Sequence, residues 1–100
     1  MSDRILIVDD EMPIRRLLRV STERSGYATE EAATAAAALG ALDRSRPRLV
    51  LLDLGLPDRD GLLFRGHLER AGLRFRERGR PLAAIGPAHR RCLLIFRRLP

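Results

Sequence analysis

Three acidic residues in the first half of the chain directly follow runs of apolar residues. Asp9 and Asp10 end the stretch "ILIVDD", and Asp53 ends the stretch "LVLLD". Short, continuous apolar runs of this kind are typical of strands that are covered on both faces. Because ligands bind beyond the carboxyl ends of parallel strands, we expect the three carboxylates to meet at one edge of a sheet. Crowded carboxylates repel one another unless a cation lies among them, and oxygen ligands favour Mg²⁺.

The elements that position these acids alternate as strand, helix, strand, helix, strand. The strands are predicted at residues 5–8, 27–30 and 49–52, with a first helix from Pro13 to Gly26 and an alanine-rich second helix in "EEAATAAAALGAL". This alternation predicts an α/β fold with a doubly wound parallel sheet and helices on both faces. In the flavodoxin-like strand order the first and third strands are neighbours, which would bring the acids together.

A carboxylate held on a metal ion can also attack phosphorus and form an aspartyl phosphate. In this respect the chain resembles the receiver domain of bacterial two-component response regulators. The resemblance covers residues 3–64 and rests on "ILIVDDE", Pro13, the pair Gly26-Tyr27 and "LVLLDLGLPDRDG". The acidic doublet and the D-x-x-x-P-x-x-x-G loop together are more specific than either motif alone.

The resemblance implies a role for each matching residue. It implies that Asp53 is the phosphoacceptor and that Pro57 and Gly61 shape the loop after the third strand. The implied Mg²⁺ ligands are Asp9, Asp10, Asp53 and the backbone carbonyl of Gly55. The resemblance further implies that a sensor histidine kinase supplies the phosphoryl group and that the domain is not a dedicated enzyme. DNA would be contacted only through an output domain, for which we expect no room in this chain.

Residues 65–100 differ in composition from residues 1–64. We interpret residues 1–64 as the amino-terminal part of a receiver domain. The first segment has nine arginines and eleven acidic residues, whereas the second has ten arginines and only two acidic residues. The second segment also contains no Ser, Thr or Lys. A receiver domain continues with a strand that ends in Ser or Thr and another that ends in Lys, so we interpret residues 65–100 as an atypical, Arg-rich tail.

The tail also offers a poor fourth strand. The stretch from Arg80 to Ile85 stands where that strand is expected, and its Pro81 is poorly suited to a central ladder. Only Leu93 to Phe96 could serve as a replacement strand. We therefore expect a sheet that is incomplete after strand three, with strand three at its edge. The composition of the tail is typical of a GC-rich gene read out of frame after about Phe64, which predicts a truncated and impaired receiver.

An alternative function remains open for the basic tail. The segments "RFRERGR" and "HRRCLLIFRR" interleave arginines with Phe75 and Phe96, a pattern that also favours binding to nucleic acid or to an anionic surface. The detailed resemblance over residues 3–64 favours the receiver. No apolar run approaches the roughly 20 residues that cross a bilayer, and the acidic amino terminus is not typical of a signal peptide. These features predict a cytoplasmic protein.

Overall fold

The computed structural model describes residues 4–53, 61–79 and 93–98, which form a five-stranded sheet with three helices. In chain order the elements are β1 (Arg4–Val8), α1 (Met12–Arg24), β2 (Ala28–Ala32), α2 (Ala35–Ser45), β3 (Leu49–Asp53), α3 (Gly61–Arg70), β4 (Leu73–Gly79) and β5 (Leu93–Arg98). The strand order is β2-β1-β3-β5-β4.

The first three strands form the predicted parallel sheet. β1 lies between β2 and β3 and pairs with both in parallel register. Strands β1 and β3 are therefore neighbours, as the flavodoxin-like order requires. The α/β fold class is confirmed, and the second strand lies slightly later than predicted because it begins at Ala28 and continues to Ala32.

The sheet changes direction after β3. Strand β5 pairs antiparallel with β3, and β4 pairs antiparallel with β5. The expectation that strand three would be an edge strand is wrong, because Leu93 to Arg97 cover it in register with Asp53 to Leu49. The replacement strand expected from Leu93 to Phe96 is thus present. The stretch 80–85 lies outside the described residues, and the division of the chain at residue 64 stays a prediction.

Side chains that alternate along the strands divide the core between the two faces of the sheet. On one face, α2 and α3 pack over Leu6, Val50 and Phe96. On the other face, Ile14 and Leu18 of α1 pack over Ile5, Ile7 and Leu51. This arrangement follows from the period of two in a strand, which sends successive side chains to opposite faces.

Local sequence signals place the helix ends. The residue Pro13 lies in the first turn of α1, where its missing N–H costs nothing. Gly26 follows the last turn with a φ of 92°, a left-handed conformation that glycine adopts without strain. At the start of α2, the hydroxyl of Thr34 accepts a hydrogen bond of 3.1 Å from the N–H of Ala37. These caps orient the segments that enter and leave the sheet.

Candidate functional site

Asp9 is the residue at which the chain leaves β1, and its side chain is fully buried, at 0% exposure. Its backbone N–H donates to the carbonyl oxygen of Ala32 over 3.1 Å, which extends the pairing of β1 with β2 by one residue. Its Oδ1 atom accepts a hydrogen bond of 2.9 Å from the N–H of Glu11. This bond fixes the turn from β1 into α1. Asp10 lies inside the turn and is half-buried, whereas Glu11 is exposed.

The register of β1 against β3 brings two of the predicted site residues to one edge. Val8 pairs with Leu52, so the next residues along the two parallel strands are Asp9 and Asp53. On its other side, Asp53 pairs with Leu93 of β5. The backbone therefore places Asp9 and Asp53 at neighbouring positions at the carboxyl end of β1 and β3.

The remaining predicted site residues are described only in part. The side chain of Asp53 and the whole of Gly55 and Pro57 lie outside the described residues. Gly61 is the first residue of α3. The roles of these residues, and of Asp9 and Asp10, as phosphoacceptor, Mg²⁺ ligands or loop-shaping residues stay predictions.

A metal site at this edge depends on Asp53. Among the described side chains, from which that of Asp53 is missing, no three His, Cys, Asp or Glu residues are grouped closely enough to hold a metal ion. The residue type that the backbone register places at this end, Asp, offers carboxylate oxygens, and hard oxygen ligands suit Mg²⁺. Asp9 and Asp53 are therefore compatible with such an ion in residue type and in backbone position.

Arg15 also belongs to this edge, although the sequence pattern gave no sign of it. Its Nη1 atom donates to the backbone carbonyl oxygen of Asp9 over 2.8 Å, and its Nε atom lies 3.3 Å from Oε1 of Glu31. The side chain is only 15% exposed. It shares the polar side of α1 with Arg16, so only the packing of α1 on the sheet distinguishes the two. Arg15 ties α1 to the ends of β1 and β2.

A chain of ion pairs continues from this edge along α1. Arg19 lies 2.9 Å from Glu31 and 2.9 Å from Glu23, which in turn accepts a hydrogen bond from Thr29. The hydrogen bonds to Glu23 and Glu31 raise the pKa of Arg19. The hydrogen bond from Arg19, with that from Thr29, lowers the pKa of Glu23. These contacts join α1 to β2 on the exposed side of the molecule.

Comparison with known proteins identifies the family. Residues 5–76 match the family model of the response regulator receiver domain, and this chain belongs to that family. It is 45% identical over 62 residues to sporulation initiation phosphotransferase F of Bacillus subtilis, covering 62% of this chain and 50% of that protein. It is 47% identical over 60 residues to the KDP operon transcriptional regulatory protein KdpE of Escherichia coli, covering 60% of this chain and 27% of that protein.

Solved structures agree with this assignment. The response regulator TrrA of Thermotoga maritima, solved in complex with Mg²⁺-BeF, is 35% identical with a TM-score of 0.64, over 68% of this chain and 59% of that one. The chemotaxis response regulator CheY4 of Vibrio cholerae is 26% identical with a TM-score of 0.66, over 69% of this chain and 57% of that one. The chain spans half or less of the length of these curated relatives.

The chain is thus a receiver domain of the two-component response regulators over its matched part. The described ranges contain no helix that is both long and apolar enough to cross a membrane.

Proposed function

We propose that this chain accepts a phosphoryl group on Asp53 from a sensor histidine kinase, and that Asp9, Asp10, Asp53 and the backbone carbonyl of Gly55 hold Mg²⁺ for this transfer. The observation that carries the proposal is the parallel pairing of Val8 with Leu52, which places Asp9 and Asp53 side by side at the end of β1 and β3. The similarity to a regulator solved with Mg²⁺-BeF supports the same assignment.

In the proposed reaction, a carboxylate oxygen of Asp53 attacks the phosphorus of the donor. The new O–P bond forms as the bond between phosphorus and the donor's leaving group breaks, and the leaving group takes up a proton from solvent. Bound Mg²⁺ would neutralise the charge that gathers on the phosphoryl oxygens. Asp9 is suited to a ligand role because its burial and its hydrogen bond from Glu11 restrict its carboxylate to one orientation.

We further propose that the transfer is impaired in this chain. The resemblance implies a Ser or Thr and a Lys that contact the phosphoryl group, and residues 65–100 contain none of these three residue types. On the side away from β1, β3 pairs with the antiparallel β5, which has the sequence LLIFRR. A phosphoryl group on Asp53 would therefore lack the partners that sense its charge and pass the change to the rest of the domain.

The proposal also includes DNA binding, which would take place through an output domain. The Escherichia coli relative is a transcriptional regulatory protein, and this chain covers only 27% of it. We infer that any contact with DNA of the kind made by such regulators uses a part of the protein outside the matched residues. The receiver itself would act as a phosphorylated switch rather than as a dedicated enzyme.

The proposal is tested by incubating the full chain with Mg²⁺ and acetyl phosphate and measuring the mass of the protein. We expect a single added phosphoryl group that hydroxylamine removes, as for an acyl phosphate. Asp53→Asn should abolish it, whereas Asp43→Asn, which changes an exposed acid on α2, should retain it. An acid-stable phosphate, or an equal yield in the Asp53→Asn variant, contradicts the assignment of Asp53.

Magnesium binding is tested separately by titration of the unphosphorylated chain. Sites of this kind leave several waters on Mg²⁺, so we expect a dissociation constant on the order of millimolar. Asp10→Ala should weaken binding, and Asp43→Ala should not. Equal affinities in the two variants would remove Asp10 from the metal site.

A further inference from the structure

A second surface lies on the face of the sheet that carries α1. In β5, the side chain of Phe96 packs in the core beneath α2 and α3, whereas that of Ile95 packs against the cluster beneath α1. Because side chains alternate along a strand, Arg97 lies on the same face as Ile95. Arg97 pairs with Leu49 of β3 on one side and with Arg74 of β4 on the other. We call these residues of the α1 face the β5 surface: Leu49, Ile95, Arg97 and Arg74.

Two arginines face each other on the β5 surface. Arg97 and Arg74 are directly opposite in the antiparallel pairing of β5 with β4, and both are exposed. Like charges at such cross-strand positions repel each other. Neither arginine forms an ion pair with another described residue. Glu69, which borders a cavity together with Arg74, pairs instead with Arg65 over 3.1 Å. The fold thus retains a repulsion that an anionic partner would remove.

Apolar side chains adjoin the two arginines. Leu49 and Ile95 pack against the cluster beneath α1, yet both are only half-buried. Tyr27, which is 42% exposed, borders a cavity together with Leu49 and Arg97. Tyrosine and arginine are enriched at protein interfaces, where they surround apolar contacts. The composition of this surface therefore favours a protein partner.

The aromatic rings of the two strands do not belong to the β5 surface. Phe96 is fully buried and Phe75 is partly buried, and both pack in the core beneath α2 and α3. The alternation of phenylalanine and arginine in the sequence thus places the rings and the guanidinium groups on opposite faces of the sheet. Because bases of single-stranded nucleic acid stack on exposed rings beside basic groups, this arrangement disfavours nucleic acid as the partner.

A second copy of this chain is also a poor match for the surface. The chain has a net charge of +6, so two copies repel each other. The exposed acids Glu23 and Glu69 are already engaged by Arg19 and Arg65 of the same chain. A partner that complements two free arginines must bring carboxylates of its own.

We propose that the β5 surface binds an acidic amphipathic helix of another protein, with carboxylates of the helix on Arg74 and Arg97. Apolar side chains of the same helix cover Leu49 and Ile95. Opposite residues in an antiparallel pair have Cβ atoms about 4.5 to 5.5 Å apart, and acids one turn apart on a helix have Cβ atoms about 5 to 6 Å apart. Two such acids can therefore each face one arginine. The surface is separate from the proposed phosphoacceptor, because Leu49 and Asp53 are the two ends of β3, about 13 Å apart.

The test measures binding of a labelled model peptide to the full chain by fluorescence anisotropy. The peptide is about five helical turns long, with leucines on one face and glutamates on the other. The double variant Arg74→Gln/Arg97→Gln should weaken binding by about five- to tenfold, because two exposed ion pairs are lost. A peptide of the same composition in scrambled order, which has no apolar face, should bind at least about fivefold more weakly, since it leaves Leu49 and Ile95 uncovered.

The matched control is Arg16→Gln/Arg70→Gln, which removes the same charge from exposed positions on α1 and α3. It should leave the affinity for the peptide within a factor of two. Equal losses in the two double variants would show that only net charge matters and would overturn the proposal. Equal affinities for the ordered and scrambled peptides would overturn it as well.

Two further measurements test the choice of partner. Tighter binding of a thymidine oligonucleotide than of the peptide would identify nucleic acid as the partner and overturn the proposal. So would self-association of the unsubstituted chain in sedimentation that Arg74→Gln/Arg97→Gln abolishes, since it would identify a second copy. Peptide binding should persist in Asp53→Asn, which separates this surface from the proposed phosphoacceptor.

Urea denaturation shows that the loss of binding is not a loss of folding. Arg74→Gln/Arg97→Gln should unfold at the same urea concentration as the unsubstituted chain or at a higher one, because it removes a repulsion between like charges. A lower unfolding midpoint would mean that the two arginines stabilise the fold, and it would overturn the proposal that they are held ready for a partner.

Discussion

Arg15 Nη1 donates a hydrogen bond of 2.8 Å to the backbone carbonyl oxygen of Asp9 and so joins the first turn of α1 to the residue that ends β1. The same guanidinium lies 3.3 Å from the carboxylate of Glu31 on β2. One side chain thus connects two neighbouring strands and the helix that crosses them. This connection, together with the hydrogen bond from the N–H of Asp9 to Ala32, holds the backbone of Asp9 at the end of β1.

Removing this guanidinium should destabilise the fold. We expect Arg15→Met to lower the free energy of unfolding by about 1 to 2 kcal/mol, because hydrogen bonds to charged groups contribute about 1.5 to 3 kcal/mol and partial exposure reduces the gain. Arg16→Met, at the adjacent exposed position, should change it by no more than about 0.5 kcal/mol. Urea denaturation of both variants measures the difference. Equal effects would mean that Arg15 does not brace the end of β1.

Arg15 illustrates which features of the site can be predicted from the sequence and which cannot. The spacing of apolar runs and acids predicted that Asp9 and Asp53 lie at one sheet edge, and the register of β1 and β3 agrees. That pattern is visible because each acid directly follows its strand. Arg15 has no such signal, since its contact with Asp9 depends on how α1 crosses the sheet. Contacts that depend on how a helix packs against the sheet do not appear in local patterns.

The second half of the sheet was predicted less well for a different reason. The parallel strand expected from the family would be a continuous apolar run, whereas β4 alternates Leu73 and Phe75 with Arg74 and Arg76. That alternation is typical of a strand with one exposed face. The register shift between Phe75 and Glu77 then interrupts the pattern. The sequence therefore does contain the pattern of an antiparallel edge strand, but this pattern lies in β4 and not in residues 80–85, where the fourth strand was expected.

Two glycines should respond in opposite ways to the same substitution. Gly26 has a φ of 92°, so Gly26→Ala should cost about 1 kcal/mol through backbone strain, although a Cβ there meets no atom within 4 Å. Gly40 lies inside α2, and among the described residues an added Cβ would meet only the side chain of Arg44, at 3.9 Å. Gly40→Ala should therefore stabilise the chain by roughly 0.5 to 1 kcal/mol. Melting temperatures that move in the same direction would contradict this assignment of the helix end.

The ion pair between Glu30 and Arg44 should make stability depend on pH. The hydrogen bond from Arg44 is the main cause that holds the pKa of Glu30 below its ordinary value of 4.5. Because the pKa is lower in the folded state, the contribution is fully present above about pH 4.5 and is lost as the pH falls through the folded pKa.

Arg44→Gln tests this dependence. It should lower the free energy of unfolding by about 0.2 to 1 kcal/mol at pH 7, the range for an exposed pair. The difference from the unsubstituted chain should shrink as the pH falls below 4.5. Arg16→Gln serves as a control and should show no such trend. A difference for Arg44→Gln that stays constant from pH 7 to pH 3 would rule out Glu30 as its partner. Denaturation curves across this pH range, with a carboxyl titration of Glu30 by nuclear magnetic resonance, measure both effects.

The packing of Phe96 decides whether the Arg-rich segment is part of the folded domain. Phe96 on β5 is fully buried, pairs with Val50 of β3, and meets the ring of Phe75 edge-on at a centroid distance of 5.8 Å.

Truncating a buried Phe to Ala typically costs about 3 to 5 kcal/mol, and a small domain has only about 5 to 15 kcal/mol of stability in total. Phe96→Ala should therefore remove much of the stability, whereas Val20→Ala, at a half-exposed position on α1, should change it by no more than about 0.5 kcal/mol. Urea denaturation would measure both changes, and amide hydrogen exchange would show whether β3 loses protection along with β5. If Phe96→Ala were as mild as Val20→Ala, β5 would not cover β3 in solution, and β3 would be an edge strand after all.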